Sequence, residues 1–492
     1  MNDLELSQKK ISVLLASQTE WLLQYKFGKS FPLDSTEIEI EITNDKLFFG
    51  FLDDRGFQTW RIKNYTIKDE KLFLDLTRNF EKENETVILI PRISAGQLGA
   101  SVEIARLEKT NKTAALIKEN SPKIKLVRVA LNKENGRLAN IFFEEINKNY
   151  IAAIADVSGS LTPEILISTA ILQLTKLQKR KKNPVEKVWI LADKKQSKKI
   201  QKLHSLLREN WKSKIDVFEI SLNENKAALK PLEKLEIENL RREKAGKIRL
   251  LENVELSAAA KEIIKFAPEK IDTVFSKQGE TLRFHGLPFA RVRRVLREEK
   301  VWFGVEKEKR ILSRNSERDF FELIETLEKY RRPDSPNKRH IFYNAAPEAW
   351  LESVLRRNIK LLDANLILSP IYHQFRAEDE RVDLLALRKD GRLVVIELKT
   401  APDRTGVFQA ADYWRKIELQ RRTGNLQKAR IFGDLKISDK PAICYLAAPT
   451  LSFHADFKFL ARTISEKIEI HRFNLAENWR ENFKVLDRRK TS

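Results

Sequence analysis

Residues 379–400 read DERVDLLALRKDGRLVVIELKT, and this stretch constrains the chain more than any other. Two apolar runs joined by Lys389-Asp390-Gly391 predict a β-hairpin, yet three ionisable side chains, Asp383, Glu397 and Lys399, interrupt them. An unpaired carboxylate is expensive to bury, so acids inside such runs are expected to be paired or metal-bound. Glu397 and Lys399 are two apart and share one face of a strand. Whether Asp383 joins them depends on register. A two-residue Asp390-Gly391 turn would pair Asp383 with Leu398 and put it on the opposite face. A three-residue loop with Gly391 left-handed sets Asp383 across from Glu397, with Cβ atoms about 5 Å apart. Two carboxylates so placed can share a Mg²⁺, and the Lys399 ammonium can orient or activate a water beside it.

The flanks extend the pattern. Before the hairpin, Pro347 suits a first helical position, Leu351, Val354 and Leu355 form an apolar stripe, and Glu348 and Glu352 share a face. After it come a helix carrying Phe408-Gln409-Ala410-Ala411-Asp412-Tyr413-Trp414 and a strand over 442–447. An acid on one strand and Glu-x-Lys on the next, here Asp383 and then Glu397-Leu398-Lys399, resembles the PD-(D/E)XK nuclease superfamily over about residues 344–473. Gln409 and Tyr413 resemble the Gln-x-x-x-Tyr element of members related to recombination and repair nucleases. The resemblance implies a restriction-endonuclease-like α/β/α core and a Mg²⁺ (or Mn²⁺) cofactor held by Asp383, Glu397 and the Leu398 carbonyl. Glu352 or Glu348 would complete the metal shell, Lys399 would stabilise charge or help deprotonate water, and Gln409 and Tyr413 would line the site. The implied activity is phosphodiester hydrolysis, in DNA rather than RNA. One departure is Val382, which stands where the superfamily carries a proline.

Charge points to the same partner. Lys and Arg number 92 against 70 Asp and Glu, a net charge of +22, the footprint of a protein that meets a polyanion. Two clusters stand out. Arg291, Arg293, Arg294 and Arg297 lie among Phe284, His285, Phe289 and Trp302, an interleaving suited to backbone tracking with base stacking; equally, the aromatics could fill a small core. Lys179, Arg180, Lys181 and Lys182 end a helix, where they could touch phosphates or simply face water. A nucleic-acid-binding protein built on inactive nuclease-like domains is the alternative to an enzyme.

Other classes are disfavoured. A single cysteine, Cys444, closes no intramolecular disulfide and builds no Cys-based zinc site, which fits a reducing, cytoplasmic setting. No apolar run approaches the roughly 18 residues that span a bilayer, so no membrane partner is expected. Gly28-Lys29-Ser30 imitates the end of a P-loop, but the first glycine that motif requires would fall at Leu23.

At 492 residues the chain is too long for one ordinary domain. The fold class expected is multidomain α/β with an N-terminal all-β module. Five period-two strands between Phe31 and Pro91 suggest a small barrel in segment 1–95, followed by a connecting helix over 96–122. Residues 123–222 read as an α/β unit, 223–340 as a charged linker plus a small basic β/α module, and 341–492 as the nuclease-like domain. The unit at 123–222 resembles a degenerate copy of the last one. KIDVFEISLNEN from Lys214 aligns without gaps to KIEIHRFNLAEN from Lys467, with five identities. That alignment expects Asn140 near the place of Asp383, Asp156 near that of Glu397, and Ser158 near that of Lys399.

Overall fold

The computed structural model describes residues 3–25, 30–53, 56–78, 81, 83–92, 95–223, 226–238, 255–276, 279–295, 298–305, 309–369 and 383–491. The chain divides into two compact units: residues 1–166, 172–197 and 215–232 form one, and residues 167–171, 198–214 and 233–492 form the other.

The first unit begins with α1 (Asp3–Ala16), followed by β1 (Glu20–Tyr25), β2 (Ser30–Asp34), β3 (Ile38–Thr43), β4 (Lys46–Asp53), β5 (Gly56–Lys68), β6 (Lys71–Arg78) and β7 (Glu83–Pro91). These strands make one antiparallel sheet in the order β2-β1-β7-β6-β5-β4-β3. The β3–β4 and β5–β6 hairpins close on Asn44-Asp45 and Asp69-Glu70, all four at positive φ, the backbone that two-residue hairpin turns require. The sequence reading expected five strands and a barrel. The sheet has seven, and among the described residues its edges β2 and β3 do not pair, so it stays open. Nor is the segment all-β, because Ile11 and Leu15 of α1 join Trp21, Phe49, Phe51 and Trp60 in its core. Gly28 and Lys29 lie outside the described residues.

Next come α2 (Ala95–Asn120), β8 (Lys125–Leu131), β9 (Leu138–Glu144), β10 (Tyr150–Asp156), α3 (Pro163–Gln178), β11 (Val185–Ala192), α4 (Lys194–His204), α5 (Glu209–Lys212), β12 (Ile215–Asn223) and β13 (Lys226–Pro231). The sheet runs β13-β12-β11-β10-β9-β8, with β9, β10, β11 and β12 linked antiparallel, parallel and parallel in turn. Helix α2, expected only to connect, places Ala114 and Ile117 in the core beside Ala139, Ile141 and Ala153. Strand β13 occupies part of what reads as a charged linker; it pairs antiparallel with β12 at the sheet edge.

In the second unit, α6 (Ala258–Lys265) precedes an antiparallel sheet of β14 (Ile271–Ser276), β15 (Gly279–Phe284), β16 (Leu287–Val295), β17 (Glu298–Phe303) and β18 (Arg310–Ile311), and α7 (Glu317–Tyr330) follows. After α8 (Ile341–Asn344) and α9 (Pro347–Arg357) come β19 (Leu366–Leu368), β20 (Leu384–Arg388), β21 (Leu393–Leu398), α10 (Gly406–Arg422), α11 (Asn425–Lys428), β22 (Ile443–Pro449), α12 (Phe457–Ala461), β23 (Glu469–Leu475) and β24 (Val485–Lys490). The last sheet runs β19-β20-β21-β22-β23-β24. Its strand order and directions repeat those of β8–β13: two antiparallel pairings, two parallel ones across helical connections, and an antiparallel edge. Strands β21 and β22 are buried along their whole length, as parallel central strands covered on both faces are. Among the described residues, no helix is long and apolar enough to cross a membrane.

Candidate active site

Register settles the position of Asp383. Leu384 pairs with Ile396 and Leu385 with Val395, and Gly391 closes the turn at φ +79° with its N–H donating to the Arg388 carbonyl at 2.8 Å. This is the three-residue loop, and one further step along the ladder sets Asp383 opposite Glu397. Asp383 stands just before β20, where its Oδ2 accepts the backbone N–H of Leu398 at 2.9 Å. Val382 lies outside the described residues.

Glu397 is 3% exposed and pairs in register with Leu446 of β22. Its Oε1 lies 3.0 Å from Lys399 Nζ, whereas Oε2 is buried without a hydrogen-bond partner. Lys399 also reaches Asp403 at 3.4 Å, a residue that sequence reasoning missed. Asp403 in turn accepts the N–H and hydroxyl of Thr405, each at 2.7 Å, which shapes the entry to α10. The helix then begins at Gly406, where a Cβ would lie 3.4 Å from Lys399 Cε, so glycine lets the helix start close to the lysine.

Electrostatics follow from this packing. Burial pushes the Asp383 carboxyl up to about 6, against the Leu398 N–H, which favours the anion; Glu352 and Glu348 raise it further. Burial and the Asp383 charge drive Glu397 well above the usual carboxylate range, with Lys399 opposing. Burial disfavours the Lys399 ammonium, but Glu397 and Glu348 outweigh it and hold the lysine above its ordinary value. A cation would relieve this crowding, and the orphaned Glu397 Oε2 is the kind of donor a hard divalent ion takes. Asp383 and Glu397 therefore fit a Mg²⁺ or Mn²⁺. Among the described residues, no three His, Cys, Asp or Glu side chains form a ready-made metal cluster.

Glu352, read from sequence as a possible third ligand, is 4% exposed on α9 and ion-paired to Arg283 at 3.4 Å and Arg356 at 3.8 Å. Arg283 also binds Asp272 at 2.6 Å. The structure thus commits Glu352 to an arginine network that no local sequence pattern announces. Gln409 and Tyr413 are half-buried on the first two turns of α10. Gln409 Oε1 is buried without a hydrogen-bond partner, while the Tyr413 ring has Lys416 Nζ 5.6 Å from its centroid. A surface depression of about 860 Å³, lined by Arg388, Asp390 and Lys436 among others, lies at the hairpin turn. That is the far end of β20 and β21 from Asp383 and Glu397, so the chemistry-bearing residues are not its lining.

The basic module resolves into a core and a face. Phe284 and Phe289 are buried core residues, and His285 is stacked on Trp350 with ring centroids 5.3 Å apart, so none of the three forms a stacking platform. On the β14–β18 sheet, Arg291 pairs across strands with Trp302, and Arg293 with Lys300; the Arg293 guanidinium lies 5.8 Å from the Trp302 centroid. Burial, Arg291 and Arg293 together lower the Lys309 ammonium, which marks a concentrated positive field. Arg294 is exposed, and Arg297 lies outside the described residues. Lys179 caps α3, with Arg180, Lys181 and Lys182 exposed beyond it.

The sheet β8–β13 lacks the acidic pair. Setting Lys214 on Lys467 places Asp216 on Glu469. Asp216 pairs with Trp189 and Trp189 with Ala153; Glu469 pairs with Ile443 and Ile443 with Val394. Asp156 therefore corresponds to Glu397 and Ser158 to Lys399, as the sequence alignment has it. The position of Asp383 falls to Leu138, the partner of Asp156, while Asn140 corresponds to Leu385. This corrects the expected equivalence of Asn140 by one step of the pleat. Asp156 is also spent, accepting from Ser158, Gly159 and Leu161 N–H groups at 2.8, 2.9 and 3.0 Å.

No protein-family model and no curated protein matches the chain. Among solved structures, EndoMS in its apo form is similar at 13% identity over 39% of this chain and 87% of that one, with a TM-score of 0.16. At that score the likeness carries no argument about this fold or its activity.

Proposed function

We propose that the chain is a metal-dependent nuclease of the PD-(D/E)XK type, acting on DNA rather than RNA. The observation that carries this reading is Glu397: a buried carboxylate with one oxygen on Lys399, the other without a partner, and Asp383 opposite it across the hairpin. A bound Mg²⁺ or Mn²⁺ would neutralise phosphate charge and make a nearby water more acidic. Asp383, Glu397 and the Leu398 carbonyl would hold that ion, with Glu348 rather than the arginine-bound Glu352 as the available acid of α9. Lys399 orients the attacking water and offsets charge that builds on the phosphate oxygens. Water adds to phosphorus, one P–O ester bond breaks, and the leaving oxygen takes up a proton. Gln409, with a free buried carbonyl oxygen, and Tyr413 line the approach from α10. Arg291, Arg293 and Trp302, supported by Lys300 and Lys309, supply phosphate and base contacts, and Lys179 to Lys182 add further positive charge.

The test is incubation of the purified chain with Mg²⁺ or Mn²⁺ and single-stranded, duplex, flap and branched DNA. Cleavage that disappears in Glu397→Gln supports the reading. Binding without any cleavage selects the rival, a nucleic-acid-binding protein on inactive nuclease-like domains.

A further inference from the structure

The loop from Lys399 to Thr405, which joins β21 to α10, is tied to the connection between β22 and α12. The Ser452 hydroxyl donates to the Thr400 carbonyl at 2.9 Å, and Arg404 Nε lies 3.3 Å from His454 Nε2. Arg404 directly follows Asp403, the residue that touches Lys399, so it stands beside the candidate site. Its side chain is 44% exposed, and its carboxylate neighbour among the described residues is Asp456, at 4.0 Å, the limit of an ion pair.

A second arginine reaches the same connection from β23. Glu397 pairs with Leu446 and Leu446 with Arg472, so the three share one face of the sheet. Neighbouring strands lie about 4.8 Å apart, which sets the Arg472 backbone about 10 Å from that of Glu397. The Arg472 guanidinium lies over Phe453, 3.9 Å from the ring centroid, and 5.6 Å from that of Phe457. Its Nε donates to Asn474 Oδ1 at 2.7 Å, and among the described residues no carboxylate pairs with it. The acid closest in sequence on the paired strand, Asp487, is itself engaged by Arg489 and by the Asn474 amide. Burial, then Arg489, lower the Arg472 pKa, with Asp487 opposing, so the local field is positive. Stacking on a ring fixes the plane of a guanidinium while leaving its outer N–H groups for an anion.

We propose that Arg404 and Arg472 are a phosphate-binding pair that holds the cut strand just beyond the metal site, on phosphates next to the one hydrolysed. This rests on the nuclease reading above and adds to the Arg291–Trp302 face a contact within the nuclease-like domain itself. A phosphate held between Asp383 and Glu397 is out of reach of a guanidinium laid on Phe453, so the pair meets its neighbours. Charge on those neighbours does not change as the ester bond breaks. The two arginines therefore bind ground state and transition state alike, and their loss falls on KM.

Arg472→Met keeps an apolar stem on Phe453 and Arg404→Gln keeps a donor for His454, while each removes one charge. Fluorescence anisotropy of full-length protein with duplex DNA, without added metal and across a salt series, reads the effect. Each substitution should weaken binding roughly tenfold. Each should also make the plot of log affinity against log salt shallower by about 0.9, and the double variant by about 1.8. Arg472→Lys, which keeps a point charge, should restore the slope lost in Arg472→Met. In cleavage with Mg²⁺, kcat/KM should fall through a raised KM. Wild-type slopes in both charge-removing variants, a slope that Arg472→Lys leaves unrestored, or a lowered kcat with KM unmoved would each overturn the proposal. If wild type cuts nothing, the nuclease reading fails, while the salt slopes, which need no cleavage, still decide whether the pair holds phosphate.

Discussion

The backbone N–H of Leu398 donates to the Asp383 carboxylate at 2.9 Å, so the end of one hairpin strand holds the acid that faces the other. This bond only partly compensates burial, since Asp383 still sits near 6 rather than 3.8. The native state therefore keeps a proton that the unfolded chain has lost between those values. Stability contributed by this group falls as pH rises through that window, and the full burden is present above about 6. At about 1.4 kcal/mol per pKa unit, the ceiling is about 3 kcal/mol. Asp383→Asn keeps an oxygen for the Leu398 N–H and removes the charge. In metal-free protein at pH 8 it should raise the thermal midpoint by several degrees while abolishing cleavage; a lowered midpoint would contradict the crowding described here.

His285 supplies the opposite slope. Burial, then Arg357, Arg331 and Lys270, push its pKa down to about 3, and the neutral ring stacks on Trp350. The unfolded chain protonates near 6.5, so stability is lost as pH falls from about 6.5 towards 3, by up to about 1.4 kcal/mol per pH unit. His285→Asn, which tolerates the positive φ of 42° at this site, should lower stability at neutral pH and flatten that acid limb. Urea midpoints measured between pH 4.5 and 6.5 read the slope; identical slopes in both proteins would exclude His285 as its source.

Salt reads the basic face. If roughly six phosphates are engaged, affinity for DNA should fall by about 10³-fold between roughly 50 and 200 mM salt. Arg291→Ala or Arg293→Ala should make that dependence shallower, and Trp302→Ala should weaken single-stranded DNA by about 1–3 kcal/mol with the salt slope unchanged. Fluorescence anisotropy across a salt series distinguishes the two effects. A flat response in wild type would point away from nucleic acid.

The two sheets of like strand order differ at the acidic positions, and that difference can be tested. Asp156 accepts three backbone N–H groups and faces Leu138 across its hairpin, so Asp156→Ala should cleave as wild type does once its lower stability is allowed for. Glu397→Ala should lose cleavage by at least 10²-fold. Equal loss in both would make the first repeat catalytic.

Much of the hairpin was legible because its determinants are local. Gly391 and the spacing of Asp383, Glu397 and Lys399 along two apolar runs decide the register, and periodicity exposed five of the seven N-terminal strands. What was not legible depends on contacts far apart in sequence. Glu352 looks like a free acid until Arg283, 69 residues earlier, is brought against it. Asn140 looks equivalent to Asp383 until the ladders carry the register across four strands to Leu138. Phe284, His285 and Phe289 read equally as a stacking surface or as the filling of a small core, because nothing local says which face of a strand a sheet will bury.

The most direct test is the cleavage rate of Lys399→Ala beside wild type, with DNA affinity measured on the same preparations. The Nζ of Lys399 lies 3.0 Å from Glu397 and 3.4 Å from Asp403, and its loss leaves the basic face untouched. The expected result is metal-dependent cleavage by wild type, loss of about 10²-fold or more in Lys399→Ala, and equal DNA affinity in both. Cleavage by Lys399→Ala at the wild-type rate would contradict it.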